Sequence, residues 1–423
     1  MITELYAIDR QLVDNLIENV VTIEIQSLSG KTWVSAVLPS ENIVSESLEI
    51  RQSICDSEEL QIGGCIPSQL TLDVMNTGDL SGKRIIVKLR TRYYSDVLFP
   101  SASLYPSTSL YPNAATQPEE LSTDDYAVFA GTIFSCNRTG NRKVRRIVAF
   151  DRMYRADTIY CKNRIAKIVS QYQSRDLSFM SLDQLLQGGH PSSGITISSW
   201  ADFINRGVDL GLSDILWDEV IDKKFTFLNF YKWACELNGV YLVEDMPQNL
   251  TLSSATPRVI VPFKNMNTIY DIPSYVGSSL QYEEFITKAI HYAQFGYNSG
   301  RGIVRLKEPS TEGYSFYYSD NPLTNCNNGH NVGAIIDNLG SVNSSDHIDK
   351  ITGSVYEYRP FKASVFNRWW VQVGDRVRLP VNDDNIPAVE SIVLSKRIRG
   401  MYGMTVEIEA KGVKIMGKEN DKE

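Results

Sequence analysis

Two cysteines, Cys55 and Cys65, stand with nine residues between them in the stretch SESLEIRQSICDSEELQIGGCIPSQLTLDVMN (45–76), beside an acidic cluster and a Gly-Gly pair. A zinc site favours two to four residues between partner cysteines and a second pair nearby, and neither is present. Small buried hydrophobes are the plainer reading of these thiols. The four histidines (His190, His291, His330, His347) stand apart from one another and from any HExxH or CxxC spacing. No GxSxG marks a nucleophile on a strand-to-helix elbow, and no GxxxxGK[ST] marks a phosphate loop. GRGIVR (300–305) opens like a dinucleotide loop but lacks the third glycine and runs into a strand pattern, so it reads as a turn. The carboxylate pairs Glu58–Glu59, Asp124–Asp125, Glu283–Glu284 and Asp383–Asp384 are adjacent in sequence. Acid hydrolysis needs its two carboxylates across a cleft, so these read as solvated turns. We expect neither an enzyme nor a metal or cofactor.

The remaining chemistry is charge. Arg138, Arg142, Lys143, Arg145 and Arg146 cluster around a TGN turn, with Arg152 and Arg155 beyond. Glu41, Glu46, Glu49, Asp56, Glu58 and Glu59 form an acidic counterpart. Phosphate binding is one reading of the basic run. A charged sheet face or subunit contact is the better one, because complementary charge sets register between subunits. The candidate interface is therefore Arg138, Arg142, Lys143, Arg145 and Arg146 against Glu46, Glu49, Asp56, Glu58 and Glu59.

The elements that must carry these residues are mostly strands. VTIEIQ (21–26), TWVSAVL (32–38), LEI (48–50), LTLDVMN (70–76), RIIVKLRTRYY (84–94), YAVFAGTIFSC (126–136) and KVRRIVAF (143–150) are short, rich in β-branched residues and broken by turn residues. An amphipathic pattern over Asp9–Asn19 predicts a helix with Asp9 as its N-cap. Residues 96–125 interrupt the strands with PSASLY and PSTSLY, a six-residue unit copied with one change, and predict a long projecting loop. From 156 to 256 the periodicity becomes helical, in NRIAKIVSQY (163–172), SLDQLLQG (181–188), SWADFINRGVDLG (199–211) and FTFLNFYKWACELNG (225–239). A hairpin is then expected over 240–254. Strand patterns return from 257, around a polar stretch near 323–353.

Composition sets outer limits. The 423 residues are 43% hydrophobic and 22% charged, enough for two or three domains with cores. A net charge of -8 argues against a protein that lives by gripping nucleic-acid phosphates. No signal-peptide pattern opens the sequence and no apolar run is long enough to span a bilayer, so synthesis and folding in a cytosol are expected. Six scattered cysteines do not make a disulfide scaffold.

The order of these segments resembles the hub proteins at the tail tip or baseplate of long-tailed phages and related prophages. ESLEIRQSICDSEELQIGGC (46–65), NTGDLSGKRIIV (76–87) and FAGTIFSCNRTGNRKVRRIVAFDRMYRAD (129–157) are similar to that family's first barrel. TFLNFYKWACELNGVYLVEDMPQNLTL (226–252) is similar to its helix-plus-hairpin module. YYSDNPL (317–323), VYEYRPFKASVFNRWWVQVGDRVRL (355–379) and IEAKGVKI (408–415) are similar to its second barrel.

The resemblance implies an α+β, β-dominated chain: a β-barrel hub domain over 1–155, a helix-rich α/β domain over 156–256, and a second β-barrel hub domain over 257–423 with an insert near 323–353. It implies a homotrimer whose tandem barrels match hexameric rings, docked on the tail tube or distal tail protein and on tip, spike or fibre proteins. DNA and the tape-measure protein would pass through its channel without specific binding. The expected location is the virion tail tip or baseplate, after assembly in the host bacterial cytoplasm. On this reading Gly63, Gly64 and Pro67 turn the chain between strands, and Cys55 and Cys65 pack the corner. The alternatives are a receptor- or carbohydrate-binding tail protein, with stacking platforms among 22 tyrosines and six tryptophans, and a tail-associated cell-wall hydrolase.

Overall fold

The computed structural model describes residues 2–56, 61, 63–95, 119–141, 143–151, 153–154, parts of 226–245, 256–260, 269–272, 280–284, 286–295, 303–304, 315–319, and 355–410 apart from 384–385 and 402–404. Two short helices come first, α1 (Ile2–Ala7) and α2 (Asp9–Asp14). The helix expected to reach Asn19 stops at Asp14, because from Leu16 the chain pairs as a strand. The run Val20-Val21-Thr22-Ile23 is β-branched and satisfies its backbone better in a ladder. Asp9 is not the cap: Ile8 holds that position without a side-chain bond. The Asp9 carboxylate is drawn instead to Arg368.

The strands of the first part are β1 (Leu16–Ser29), β2 (Thr32–Val37), β3 (Glu49–Ser53), β4 (Gly64–Cys65), β5 (Gln69–Met75), β6 (Arg84–Tyr94), β7 (Glu120–Ser122), β8 (Tyr126–Arg138) and β9 (Val144–Phe150). Next come β10 (Tyr241–Asp245), β11 (Thr256–Ile260), β12 (Ile269–Asp271), β13 (Gln281–Tyr282), β14 (Ile286–Phe295), β15 (Ile303–Val304), β16 (Ser315–Ser319) and β17 (Val355–Tyr358). The last are β18 (Phe361–Phe366), β19 (Arg376–Asp383), β20 (Ile386–Ile392), β21 (Ser395–Arg399) and β22 (Thr405–Glu409).

One twelve-stranded sheet dominates, in the order β13-β18-β22-β21-β3-β5-β9-β8-β6-β1-β2, with β7 on β6. The strand patterns read over 21–150 are all in it, whereas of those after 257 only β13, β18, β21 and β22 join it; β14 to β17, β19 and β20 pair in smaller sheets. Its architecture corrects the expected α+β plan. Among the described residues the chain is β-dominated, no barrel closes, and no helix-rich α/β domain appears. The cause lies in the pairing of β3. It bonds β5 on one side and β21 on the other, Ile50 opposite Ile398. The sheet thus continues into the C-terminal strands rather than bending back onto β2, and β2 is left as an edge. The helical patterns at 163–172, 181–188 and 199–211, the insert near 323–353 and residues 96–118 of the loop expected over 96–125 lie outside the described residues; the end of that loop is shorter than expected, because Glu120–Ser122 pairs with β6 as β7. Strand β10 pairs with β11, Asp245 opposite Thr256, so the second arm of that hairpin falls later than 250–254.

The sheet is apolar on one face and charged on the other, as period-two alternation requires. On the inner face Leu70, Leu72 and Val74 of β5 lie beside Ile147 and Ala149 of β9, all fully buried. The row continues through Ile85, Val87 and Leu89 of β6 and through Ile398, Val406 and Ile408 near the C-terminus. Burial of this size is the main stabilising term of the fold.

A polar seam ties the first residues to the last part of the chain. The Arg368 guanidinium donates to both Asp9 oxygens, at 3.1 and 3.0 Å, and is 1% exposed. Asn367, at φ 51°, donates to the Leu12 carbonyl at 2.7 Å. Trp369 Nε1 donates to Thr91 Oγ1, which donates to Asn19. Burial pushes the Asp9 carboxyl up; Arg368, by charge and hydrogen bond, pulls it back, and the net effect is upward.

Candidate assembly interface

The outer face of the large sheet holds most of the charge that the sequence analysis singled out. Glu49 of β3 lies opposite Arg399 of β21, and Arg397 lies opposite Glu407 of β22. Glu49 bonds Arg51, accepts from Arg397 at 3.1 Å and pairs with Arg399 at 3.5 Å. Glu407 binds the same two arginines, each at 3.3 Å, and Lys362 reaches Glu409 at 2.8 Å. Burial pushes the Glu49 carboxyl up, but the Arg51 hydrogen bond and the charges of Arg397, Arg51 and Arg399 outweigh it and hold it below the usual range. The ladder continues on the other side of β5, where Arg146 grips Asp73 through two bonds of 2.8 and 2.9 Å.

The proposed interface residues therefore divide. Glu49 and Arg146 have partners in their own chain, and Asp56 has a long contact to Lys232 at 3.9 Å. Arg145 donates to the Cys136 carbonyl at 3.1 Å. Arg138 and Lys143 flank the β8–β9 turn, exposed and without an ion pair among the described residues; Glu46, in the turn before β3 at φ 58° and beside Gly400, is likewise exposed and without an ion pair among the described residues. Arg142, Glu58 and Glu59 lie outside the described residues. Sequence reasoning missed Arg397 and Arg399. Their signal was present in the matching parity of KRIR and VEIE across one turn, which puts two arginines and two glutamates on one face.

The edge of the sheet is apolar. Of the seven large hydrophobics exposed among the described residues, four lie on the β1–β2 hairpin: Val20, Leu28, Val34 and Val37. Register puts Leu28 opposite Trp33 on the outer face, where the Arg84 guanidinium lies 3.8 Å from the Trp33 ring centroid. Val34 and Ala36 continue the inner face beyond Ile25. Strand β2 carries no charge, proline or bulge, the devices that usually protect a free edge.

The corner that joins β3 to β5 is where the 226–245 segment docks. Strand β4 pairs in parallel with β10, Gly64 with Tyr241 and Cys65 with Leu242. Gly63 has φ +68°, and a Cβ there would lie 2.5 Å from the carbonyl carbon and oxygen of Cys235. Only glycine permits both the conformation and the approach. Cys55, Cys65 and Cys235 are in no disulfide and are fully buried, so the two thiols read as packing groups are packed. No group of three or more His, Cys, Asp or Glu among the described residues is placed to hold a metal ion. Trp369 and Trp370 are both buried, each 4% exposed, which removes them as stacking platforms for a sugar.

No family model matches the sequence, and no curated protein matches it. Solved structures do. The tail protein from Neisseria meningitidis MC58 has 10% identity and a TM-score of 0.44, with 93% of this chain and 97% of that chain covered. The 43 kDa tail protein of prophage MuSo2 from Shewanella oneidensis has 9% identity and a TM-score of 0.39, covering 94% and 100%. The E. coli c3393 protein, a component of the type VI secretion system, has 7% identity and a TM-score of 0.35, covering 87% and 73%. The neighbours are tail and tail-like proteins. No helix among the described residues is long and apolar enough to cross a membrane.

Proposed function

We propose that this chain is a non-enzymatic structural hub protein of a phage tail tip or baseplate. Three copies form a ring that joins the hexameric tail tube or distal-tail ring to the tip and surrounds the channel for DNA and tape-measure protein. Support comes first from the order of sequence segments, which resembles that of tail hubs along most of the chain. The observation that carries the reading is the open twelve-stranded sheet with its apolar, unprotected β2 edge. An edge of this kind in a soluble monomer is an aggregation hazard; in a closed ring it is covered.

Residues 1–155, 156–256 and 257–423 are the proposed domains, and the ring would draw on them in tandem. Arg138 and Lys143, exposed and without an ion pair among the described residues, are the cations proposed to meet a neighbour, and Glu46 the matching anion; Arg142, Glu58 and Glu59 extend the same proposed patches in the sequence. These groups would face a subunit or an adjacent ring. The channel wall would be polar and neutral to acidic, since arginines there would hold phosphates and slow passage. The protein would leave the host cytoplasm as part of the virion.

Light scattering of the purified chain at physiological salt tests the assembly. A mass of three chains is expected. A stable monomer at micromolar concentration would contradict the ring.

A further inference from the structure

The large sheet has two open edges, and they match each other. At one end β2 pairs only with β1, so the far side of Thr32–Val37 has no strand beside it among the described residues. At the other end β18 pairs with β22 along 362–366, while β13 takes its far side at Phe361 and Lys362 alone. Residues 363–366 are therefore a second open edge among the described residues. Both edges carry exposed apolar side chains: Leu28, Val34 and Val37 on the hairpin, each more than half exposed, and Phe366 on β18. Neither 33–36 (WVSA) nor 363–366 (ASVF) holds a charged residue that would oppose pairing. Between the edges runs the path β18-β22-β21-β3-β5-β9-β8-β6-β1-β2, ten strands in which every neighbouring pair is antiparallel. An even number of alternating strands makes β2 run opposite to β18. A rotation about an axis along the strands carries one copy to the next without reversing strands or exchanging faces. The β2 of one copy then meets the β18 of the next antiparallel, with apolar face continuing apolar face.

We infer that β2 of one copy pairs with β18 of the next, joining the large sheets of neighbouring copies head to tail. The inference rests on the proposed ring and names the contact that closes it. One register suits the residue types. Val34 opposite Val365 and Ala36 opposite Ala363 meet on the inner face, where Val365 and Ala363 are already fully buried. Ser35 then faces Ser364 and Trp33 faces Phe366 on the outer face, a hydroxyl pair and an aromatic pair of the kinds that favour cross-strand contact. A slip of one residue would turn Val34 and Ala36 to the charged face. A slip of two in one direction sets Ser35 against Lys362, whose far side Gln281 of β13 already takes. A slip of two in the other sets Val34 against Asn367, which leaves the strand at φ 51° and turns in to bond the Leu12 carbonyl. The contact is heterologous, two different edges of one chain, so it propagates around a ring and does not stop at a pair.

The test introduces Ser35→Cys and Ser364→Cys into the full-length chain, singly and together, oxidises with copper-phenanthroline, and separates the products under denaturing conditions without reductant. The double variant is expected to give covalent species of three chains. Either single variant alone is expected to stay single, and an equal mixture of the two to stop at two chains, with peptide mapping joining position 35 to position 364. A three-chain mass by light scattering with no link from the double variant, or linking by Ser35→Cys alone, would overturn the pairing and leave the ring standing. Links that run on into long polymers would support the pairing and contradict a ring of three. Hydrogen exchange on the unaltered protein decides the matter even if a variant fails to fold. The amides of 33–36 and 363–366 are expected to gain protection together as the chain assembles, and protection of one segment without the other would overturn the inference.

Discussion

Replacing Arg368 with alanine is the sharpest probe of how the two ends of the chain are held together. The guanidinium is 1% exposed and makes two bonds, of 3.1 and 3.0 Å, to an Asp9 carboxylate whose side chain is 10% exposed. Removing one member of such a pair leaves the other charge buried without compensation and costs about 3–5 kcal/mol. The upper half of that range is expected, since the lost guanidinium also vacates packed space between α2 and the turn after β18. The penalty should depend on pH in a defined direction. Burial already raises the Asp9 carboxyl, and Arg368 is what restrains it. Without Arg368 the folded-state value rises further above the unfolded one. The folded variant then binds its proton more tightly than the unfolded chain, and stability recovers as pH falls from 7 through the folded value toward about 4. Urea unfolding followed by tryptophan fluorescence reads both effects, because Trp369 and Trp370 adjoin the pair. The double replacement Asp9→Leu with Arg368→Met removes both charges and should cost far less than Arg368→Ala. A loss below about 1 kcal/mol for Arg368→Ala, or a loss that does not change with pH, would refute the reasoning.

Gly63→Ala should destabilise by about 2–4 kcal/mol, combining a left-handed backbone with a Cβ pressed onto the Cys235 backbone, and chemical denaturation measures it. Glu49→Gln should weaken the fold at pH 7 and matter less in acid. The carboxyl is held below its ordinary value, so its contribution is complete above about pH 5 and fades as pH falls through the folded value; paired urea titrations at pH 7 and pH 3 read the difference. Val34→Lys with Val37→Lys should leave the unfolding midpoint nearly unchanged, since both residues are more than half exposed, yet lower the mass seen by light scattering. Deleting residues 100–111 should leave the chain folded, because β7 and β8 each pair with β6 close to the ends of that loop; circular dichroism and a thermal melt check it.

The strands were legible because their burial alternates at period two. In LTLDVM (70–75) every second residue enters the core, and the pattern is written in the residue types. The Gly63–Gly64 corner was legible for the same local reason. What the sequence hid is pairing at long range. Ser53 and Ser395 stand opposite one another across β3 and β21, more than three hundred residues apart, and no local feature of either strand names the other. The closed barrels expected from short strands and turns fail at that point. The same blindness hid the partners that Glu49 has within its own chain, because only β21 brings Arg397 and Arg399 beside it. The N-terminal helix was read too long because Leu16 and Ile17 fit a helical stripe as well as a strand, and only the ladder to β6 decides between them.

The direct test of the central claim is to locate this chain in an assembled particle by electron cryo-microscopy. The account predicts three copies at the tail tip or baseplate, around an open channel, with each β2 edge paired or covered by a neighbouring chain. Six independent copies, a peripheral fibre position away from the channel, or a ring in which β2 faces solvent would contradict it.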